Sequence, residues 1–140
     1  MPDVFAKNVA TSAEEAAKLI PKLKEADGVL LGSDWGSQVD LLMSHATWTE
    51  MIRPGEQAEY DLVHSFGLDV WIHSCGNVLR IIPDLIDMGV QVLNPVQPEC
   101  MDPAALKRQF GDRLSFWGTI GTQTTLPFGT PSEVREEVRL

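Results

Sequence analysis

Short apolar runs alternate with longer stretches of helical periodicity along this chain. Runs typical of buried strands lie at residues 29–31, 69–73, 90–94 and 114–118. Start, stop and periodicity signals predict helices over about 12–26, 47–66 and 83–88, from Pro103 to near Gly111, and from a capping box at Thr130 to the chain end. Four strands separated by helices predict an α/β fold of parallel βαβ units.

Prolines and glycines refine the expected helix limits. Pro21 fits poorly inside the first predicted helix and indicates a kink or break there. Pro54 and Gly55 are places where the second helix could split, and Gly67 is expected to end it.

The spacing of the later strands favours part of a (β/α)8 barrel, whose strands recur about every 20–25 residues in its tightest form. A doubly wound open sheet is the alternative, but no Gly-x-Gly-x-x-Gly phosphate loop follows a predicted strand. Four strands are half of a barrel and would leave open edges. We therefore expect one partial-barrel domain over residues 1–140, which continues in a longer protein or pairs with another subunit.

Composition limits the partners and the compartment. The 140 residues, 44% of them hydrophobic, suffice for one core. A net charge of −9 with scattered basic residues argues against a nucleic-acid or membrane partner. The two cysteines do not indicate a disulfide framework, and no secretory signal or apolar run of about 20 residues is present. These features predict a cytoplasmic protein.

His73 and Cys75 are the strongest candidates for chemistry. They lie two residues apart at the end of the second predicted strand, so their side chains should point to the same side. Chemistry in parallel α/β folds gathers at these strand ends, and imidazole nitrogen and thiolate sulfur are preferred zinc ligands. The pair therefore predicts two ligands of a zinc site. A buried histidine beside an inert cysteine is the alternative.

A catalytic zinc ion usually takes three protein ligands, so further donors are needed. Cys100 follows the third predicted strand and is either the third ligand or an unrelated loop cysteine. Asp34 follows the first strand and is a candidate catalytic residue that orients a zinc ligand or meets a polar group of the substrate; a turn-forming aspartate is the alternative. His45 and His64 fall in or near a helix and are expected at the surface.

Amide side chains in the loops and at a strand end are candidates for binding a small-molecule substrate. They are Gln38, Gln97, Gln123 and Asn94. For each glutamine, an ordinary solvated loop residue is the alternative. Three aromatic residues are expected in the core rather than stacked on a substrate: Trp71, Phe116 and Trp117.

Several segments of residues 25–140 resemble, in order, motifs of the uroporphyrinogen decarboxylase superfamily. Each motif alone is weak, but the ordered set is specific. The segments are Asp34–Gln38 with Trp48 and Arg53–Pro54 beyond it, His73–Asn77, Ile82–Ile86, Asn94–Pro98, Phe110–Gly118 and Leu126–Pro131.

The resemblance implies the C-terminal portion of a (β/α)8 barrel and one of two activities. One branch of the superfamily decarboxylates porphyrinogens without a metal. The other branch carries a His-x-Cys pair on zinc and passes a methyl group from a corrinoid protein to a thiol. The sequence from His73 to Gly76 resembles the second branch. His73 and Cys75 are then zinc ligands, the remaining ligand lies beyond Leu140, and cobalamin comes with a partner protein.

Two departures from the family pattern bear on activity. Ser33 and Gly121 stand where many relatives carry an aspartate, which removes two carboxylates near the expected site. Three functions follow as hypotheses. The first is a zinc-dependent methyltransferase of the corrinoid type, which moves a methyl group to a thiol or to a corrinoid, and the second is uroporphyrinogen decarboxylase. The third is an inactive barrel fragment that acts only by assembly with a second copy or another subunit.

Overall fold

Four parallel strands form a single sheet in the computed structural model, which describes residues 11, 14–15, 17–22 and 25–139. The strands lie side by side in chain order. They are β1 (Gly28–Gly32), β2 (Asp69–His73), β3 (Val90–Asn94) and β4 (Ser115–Phe116). The predicted α/β fold with parallel strands is confirmed. The limits of β2 and β3 match the prediction, whereas β4 is shorter than the run at 114–118.

Helices and 3-10 turns occupy the connections between the strands. The helices are α1 (His45–Met51), α2 (Arg53–Ser65), α3 (Ile82–Asp87), α4 (Pro103–Phe110), α5 (Thr125–Phe128) and α6 (Pro131–Glu137), and the 3-10 turns are Ile20–Lys22 and Leu79–Ile81. The capping box of α6 is formed as predicted, because Thr130 and Glu133 each bond the other's backbone N–H. No helix in this described part of the chain is both long and apolar enough to cross a membrane.

The helix predicted over 47–66 is two helices that meet at Ile52. Pro54 does not break α2, because it lies in the first turn, where a backbone N–H has no helical partner to lose. Gly67 has a φ of 72° and follows the end of α2, as predicted.

The first predicted helix, over 12–26, lies partly outside the described residues. The described positions 14–15 and 17–19 are helical, and a 3-10 turn at Ile20–Lys22 follows. Pro21 lies in that turn, where the break was expected. Helix α5 was not predicted, since no periodic pattern precedes Gly129.

The core lies between one face of the sheet and the helices that cover it. Strand residues that are fully or nearly fully buried on this face are Val70, Ile72, Val90 and Leu93. The helices bury Trp48, Tyr60, Val63, Ile82, Leu85, Leu106 and Phe110 in the same cluster. Each such side chain contributes roughly 1.5–3 kcal/mol through loss of apolar surface to water.

The other face of the sheet carries an uncovered apolar row. Leu30, Trp71 and Val92 are register partners across β1, β2 and β3. Leu30 is 46% exposed and Trp117, in edge-to-face contact with Trp71, is 51% exposed. The expectation that Trp117 belongs to the core is therefore wrong, and Trp71 and Phe116 are only half-buried. These aromatics lie on or beside the face that the described helices leave open.

Helix α2 places a carboxyl group against the core. The hydroxyl of Tyr60 donates to Glu56 Oε2 at 3.0 Å. Burial raises the pKa of Glu56 from 4.5 to about 7, and this effect outweighs the opposing hydrogen bond from Tyr60. Glu56 thus holds a proton in the folded state at a pH where the unfolded chain has released it.

We expect Glu56→Gln to reduce the pH dependence of the free energy of unfolding. Because the folded-state pKa lies above the unfolded value, the stability that Glu56 contributes falls as pH rises from 4.5 to about 7 and then levels off. The full shift would be worth about 3 kcal/mol, and the half-buried position reduces this to about 1–2 kcal/mol.

Urea unfolding below pH 4.5 and near pH 8 checks this expectation. The variant should gain stability relative to the natural protein only at the higher pH. Glu50→Gln, at an exposed position in α1, is the matched control for the loss of one carboxylate. Parallel profiles for the natural protein and Glu56→Gln would contradict the assignment.

Candidate metal centre

Three polar side chains converge just beyond the carboxyl ends of β1 and β2. Asp34 follows β1, His73 is the last residue of β2, and Cys75 lies two residues further on. One possible ligand atom from each lies within 4.8 Å of the other two. His73 Nε2 is 3.6 Å from Cys75 Sγ and 3.8 Å from Asp34 Oδ1. The predicted convergence of His73 and Cys75 is present in this geometry.

The strand register explains why these residues meet. Gly32 pairs with His73, and His73 pairs with Asn94, so the carboxyl ends of three strands align. The N–H of Ser33 donates to the carbonyl of His73 at 3.2 Å, which extends the ladder by one bond. Asp34 therefore leaves β1 beside the end of β2.

Ser74 lies between His73 and Cys75 in the chain, and its side chain points to the opposite side of the strand. It is fully buried, and its Oγ accepts a hydrogen bond from the N–H of Trp35 at 3.0 Å. This bond ties the two strand-end loops together, and the alternation of side chains leaves His73 and Cys75 on the open side. The role of Ser74 was not predicted, although its position in the alternation was a usable signal.

The loops after β1 and β2 pack backbone against backbone at two glycines. A Cβ on Gly36 would lie 2.6 Å from the carbonyl oxygen of Cys75, and one on Gly76 would lie 2.5 Å from that of Ser37. Gly76 also has a φ of 81°, which side-chain-bearing residues rarely adopt. This close approach lets Asp34 Oδ1 accept the N–H of Cys75 at 2.8 Å.

Asn94, at the end of β3, holds the other side of the histidine ring. Its Oδ1 lies 2.7 Å from His73 Nδ1, and its Nδ2 donates to the carbonyl of Trp117 at 3.5 Å. Asn94 was predicted to contact substrate. In the structure its amide is in contact with a candidate ligand and with the end of β4.

The predicted glutamines lie beside the centre in loops after β1, β3 and β4. Gln97 Oε1 accepts the N–H of Gly76 at 2.5 Å and so supports the loop that carries Cys75. Gln38 Oε1 accepts bonds from Gln123 Nε2 at 2.7 Å and from the Cys100 thiol at 3.4 Å. Three loops thus bring these amides together, and their predicted contact with substrate stays a prediction.

Cys100, one of the two alternatives for a third ligand, does not belong to this group. Among the described residues, the group within 4.8 Å contains Asp34 and does not include Cys100. The remaining histidines lie in or packed against helices. His45 bonds Asp84 Oδ2 at 2.8 Å, and His64 packs beneath Gly89.

The surroundings of Cys75 disfavour its thiolate form. Burial raises the pKa of the Cys75 thiol, and the negative charge of Asp34 raises it further. A bound cation would oppose both effects, since it stabilises a thiolate and a carboxylate together. The side chains of Asp34 and His73 are 56% and 43% exposed, so the donors are reachable from solvent.

The fold and these three donors define an α/β protein with a candidate metal centre at the carboxyl edge of a parallel sheet. Comparisons with protein-family models, curated proteins and solved structures find no match for the chain. The chemistry of the site itself is therefore the basis for the functional proposal.

We expect Gly76→Ala to destabilise the fold by about 3 kcal/mol or more. The left-handed backbone alone costs about 1–2 kcal/mol for alanine, and the new Cβ would also collide with the loop that carries Ser37. Gly67→Ala is the matched control, because Gly67 also has a positive φ but nothing lies within 4 Å of its Cβ position.

Urea unfolding of both variants measures the difference. The control should lose only the backbone term of about 1–2 kcal/mol. Equal losses for the two variants would contradict the close packing of the two loops.

Proposed function

We propose that Asp34, His73 and Cys75 bind one zinc ion. Zinc prefers this combination of carboxylate oxygen, imidazole nitrogen and thiolate sulfur. In tetrahedral geometry, zinc bonds of about 2.0–2.1 Å to nitrogen and oxygen and about 2.3 Å to sulfur place nitrogen and sulfur about 3.5 Å apart and nitrogen and oxygen about 3.3 Å apart. The 3.6 Å between His73 Nε2 and Cys75 Sγ agrees with this geometry, and the 3.8 Å between His73 Nε2 and Asp34 Oδ1 would shorten by about 0.5 Å on zinc binding. The spacing of the three donors is the observation that carries the proposal.

Asp34 supplies the third donor within the described part of the chain. The resemblance to the superfamily instead implies a remaining ligand beyond Leu140. Three protein ligands leave one position open, which is typical of a catalytic rather than a structural zinc site. The exposure of Asp34 and His73 agrees with an open position that a substrate can reach.

On this site we base the wider proposal of a zinc-dependent methyltransferase of the corrinoid type. The chain would be part of a (β/α)8 barrel of the uroporphyrinogen decarboxylase superfamily. The parallel order of the strands supports this, and so does the apolar row of Leu30, Trp71 and Val92, which barrel closure would bury. The methyl group would come from cobalamin on a partner protein.

The chain's own residues would then act on a small-molecule thiol. Zinc, when bound, lowers the pKa of a coordinated thiol and so makes a thiolate available near neutral pH. Gln38 and Gln123 lie close enough to bond one another and would fix a polar substrate by neutral hydrogen bonds. Gln97 keeps Cys75 in place through the N–H of Gly76.

The uncovered sheet face also favours assembly with another subunit. Leu30 and Trp117 are 46% and 51% exposed, and such apolar surface is typical of a covered interface. A chain that only assembles would need no metal. Zinc binding therefore distinguishes this second candidate, and the metal-free decarboxylase, from the methyltransferase.

We expect the natural protein to bind one zinc ion and the double variant His73→Ala, Cys75→Ala to bind it at least about 100-fold more weakly. Loss of two ligands should exceed the 10–100-fold effect typical of outer-shell changes. Competition with a chromophoric chelator measures the affinity, and circular dichroism checks the fold. Cys100→Ser is the matched control, because it removes a nearby thiol outside the donor group.

Asp34→Asn provides the finer test of the third donor. It keeps an oxygen that can accept the N–H of Cys75 but removes the charge, so affinity should fall while the fold persists. Equal affinity of the natural protein and the double variant would overturn the metal centre.

Methyl transfer can be tested separately. Zinc-loaded protein incubated with methylcobalamin and a small thiol should yield the methylated thiol, measured by mass spectrometry. The double variant should yield none, because it lacks two of the proposed ligands. Metal-independent decarboxylation of uroporphyrinogen by both proteins would contradict the proposal and favour the decarboxylase.

A further inference from the structure

We infer that Asn94 is a positioning residue that holds His73 as the Nδ1–H tautomer and turns an unprotonated Nε2 toward Asp34 and Cys75. This inference rests on the proposed function in one respect: the unprotonated Nε2 is a metal ligand only if the proposed zinc site exists. The tautomer itself is a property of the metal-free chain.

The orientation of the Asn94 amide is set by the neighbouring strand. The carbonyl oxygen of Trp117 can only accept hydrogen bonds, so the amide group that faces it at 3.5 Å must be the donating NH2. The same carbonyl accepts the N–H of Val96 at 3.3 Å, which fixes its direction. Asn94 Oδ1 is therefore the atom that faces the histidine.

Oδ1 is an acceptor only, and it lies 2.7 Å from His73 Nδ1. The hydrogen of a neutral imidazole must then be on Nδ1, because two lone pairs at that distance would repel one another. Nε2 keeps its lone pair. It lies 3.6 Å from Cys75 Sγ and 3.8 Å from Asp34 Oδ1, which makes it the ligand nitrogen of the candidate centre.

The surrounding backbone restricts the position of the Asn94 side chain. Its carbonyl accepts the N–H of Ser74 at 2.8 Å, within the register of β2 and β3. Gly118 has a φ of 76°, and a Cβ there would lie 3.3 Å from Asn94 Nδ2, so the absence of a side chain makes room for the amide. Both polar atoms of Asn94 are thus engaged by the protein, which favours action through His73 over direct contact with substrate.

Long-range ¹H–¹⁵N correlation spectra of the metal-free protein test the tautomer. They are recorded over a series of pH values, and the tautomer is assigned from the spectra in which the nitrogen shifts identify a neutral ring. His73 should show the Nδ1–H pattern in the natural protein. Asn94→Leu, which keeps the size but removes the acceptor, should shift it toward the Nε2–H form. The signals of His45 and His64 in the same spectrum should not change.

Asn94→Asp keeps an acceptor for His73 Nδ1 but loses the donor to the Trp117 carbonyl, so some loss of stability is expected. It should retain the Nδ1–H pattern and near-natural zinc affinity, while Asn94→Leu should bind zinc about 10–100-fold more weakly. If Asn94→Leu does not fold, Asn94→Ser replaces it, since serine is too short to reach the ring. A merely structural role of Asn94 would change stability without changing the tautomer.

The outcomes separate this inference from the proposed function. An Nε2–H pattern for His73 in the natural protein, or an unchanged pattern in Asn94→Leu, overturns the inference. The expected tautomers together with no zinc binding in any variant would support the role of Asn94 and overturn the metal centre instead.

Discussion

The alignment of Gly32, His73 and Asn94 across three parallel strands is the constraint on which the rest of the site depends. In a parallel sheet the carboxyl ends of neighbouring strands lie at one edge, so residues far apart in the chain become neighbours there. A slip of one residue in β2 would turn His73 and Cys75 toward the helices and bring Ser74 to the open side. The buried residues Val70 and Ile72 oppose such a slip, because it would expose them.

The loops beyond the strands bring the three candidate ligands together. Gly36 and Gly76 allow two backbones to approach more closely than side chains would permit. The carboxylate of Asp34 then reaches the N–H of Cys75 and lies beside its thiol. Such an arrangement is electrostatically unfavourable for an ionised carboxylate and thiolate alone and becomes favourable around a cation. The close approach of the two loops therefore produces the arrangement of charges on which the proposed metal binding depends.

Local signals in the sequence were sufficient for much of the fold. The limits of β2 and β3, the capping box at Thr130 and the end of α2 near Gly67 were all predicted, because each depends on residues adjacent in the chain. Trp117 was placed wrongly in the core. Apolar composition indicates that a side chain can be buried, but only the packing of the helices decides which face of the sheet they cover.

The sequence by itself determined the α/β alternation and the pairing of His73 with Cys75, since side chains two apart on a strand share a side. The sequence also indicated Asp34, an acidic residue that follows a strand, as a candidate residue of the site. Only the tertiary structure places Asp34, rather than Cys100, in the group with His73 and Cys75 and gives Asn94 its contact with the His73 ring. Those choices depend on strand register and on the close approach of two loops. Such contacts join residues 21 to 41 positions apart, and no pattern of neighbouring residues encodes that distance.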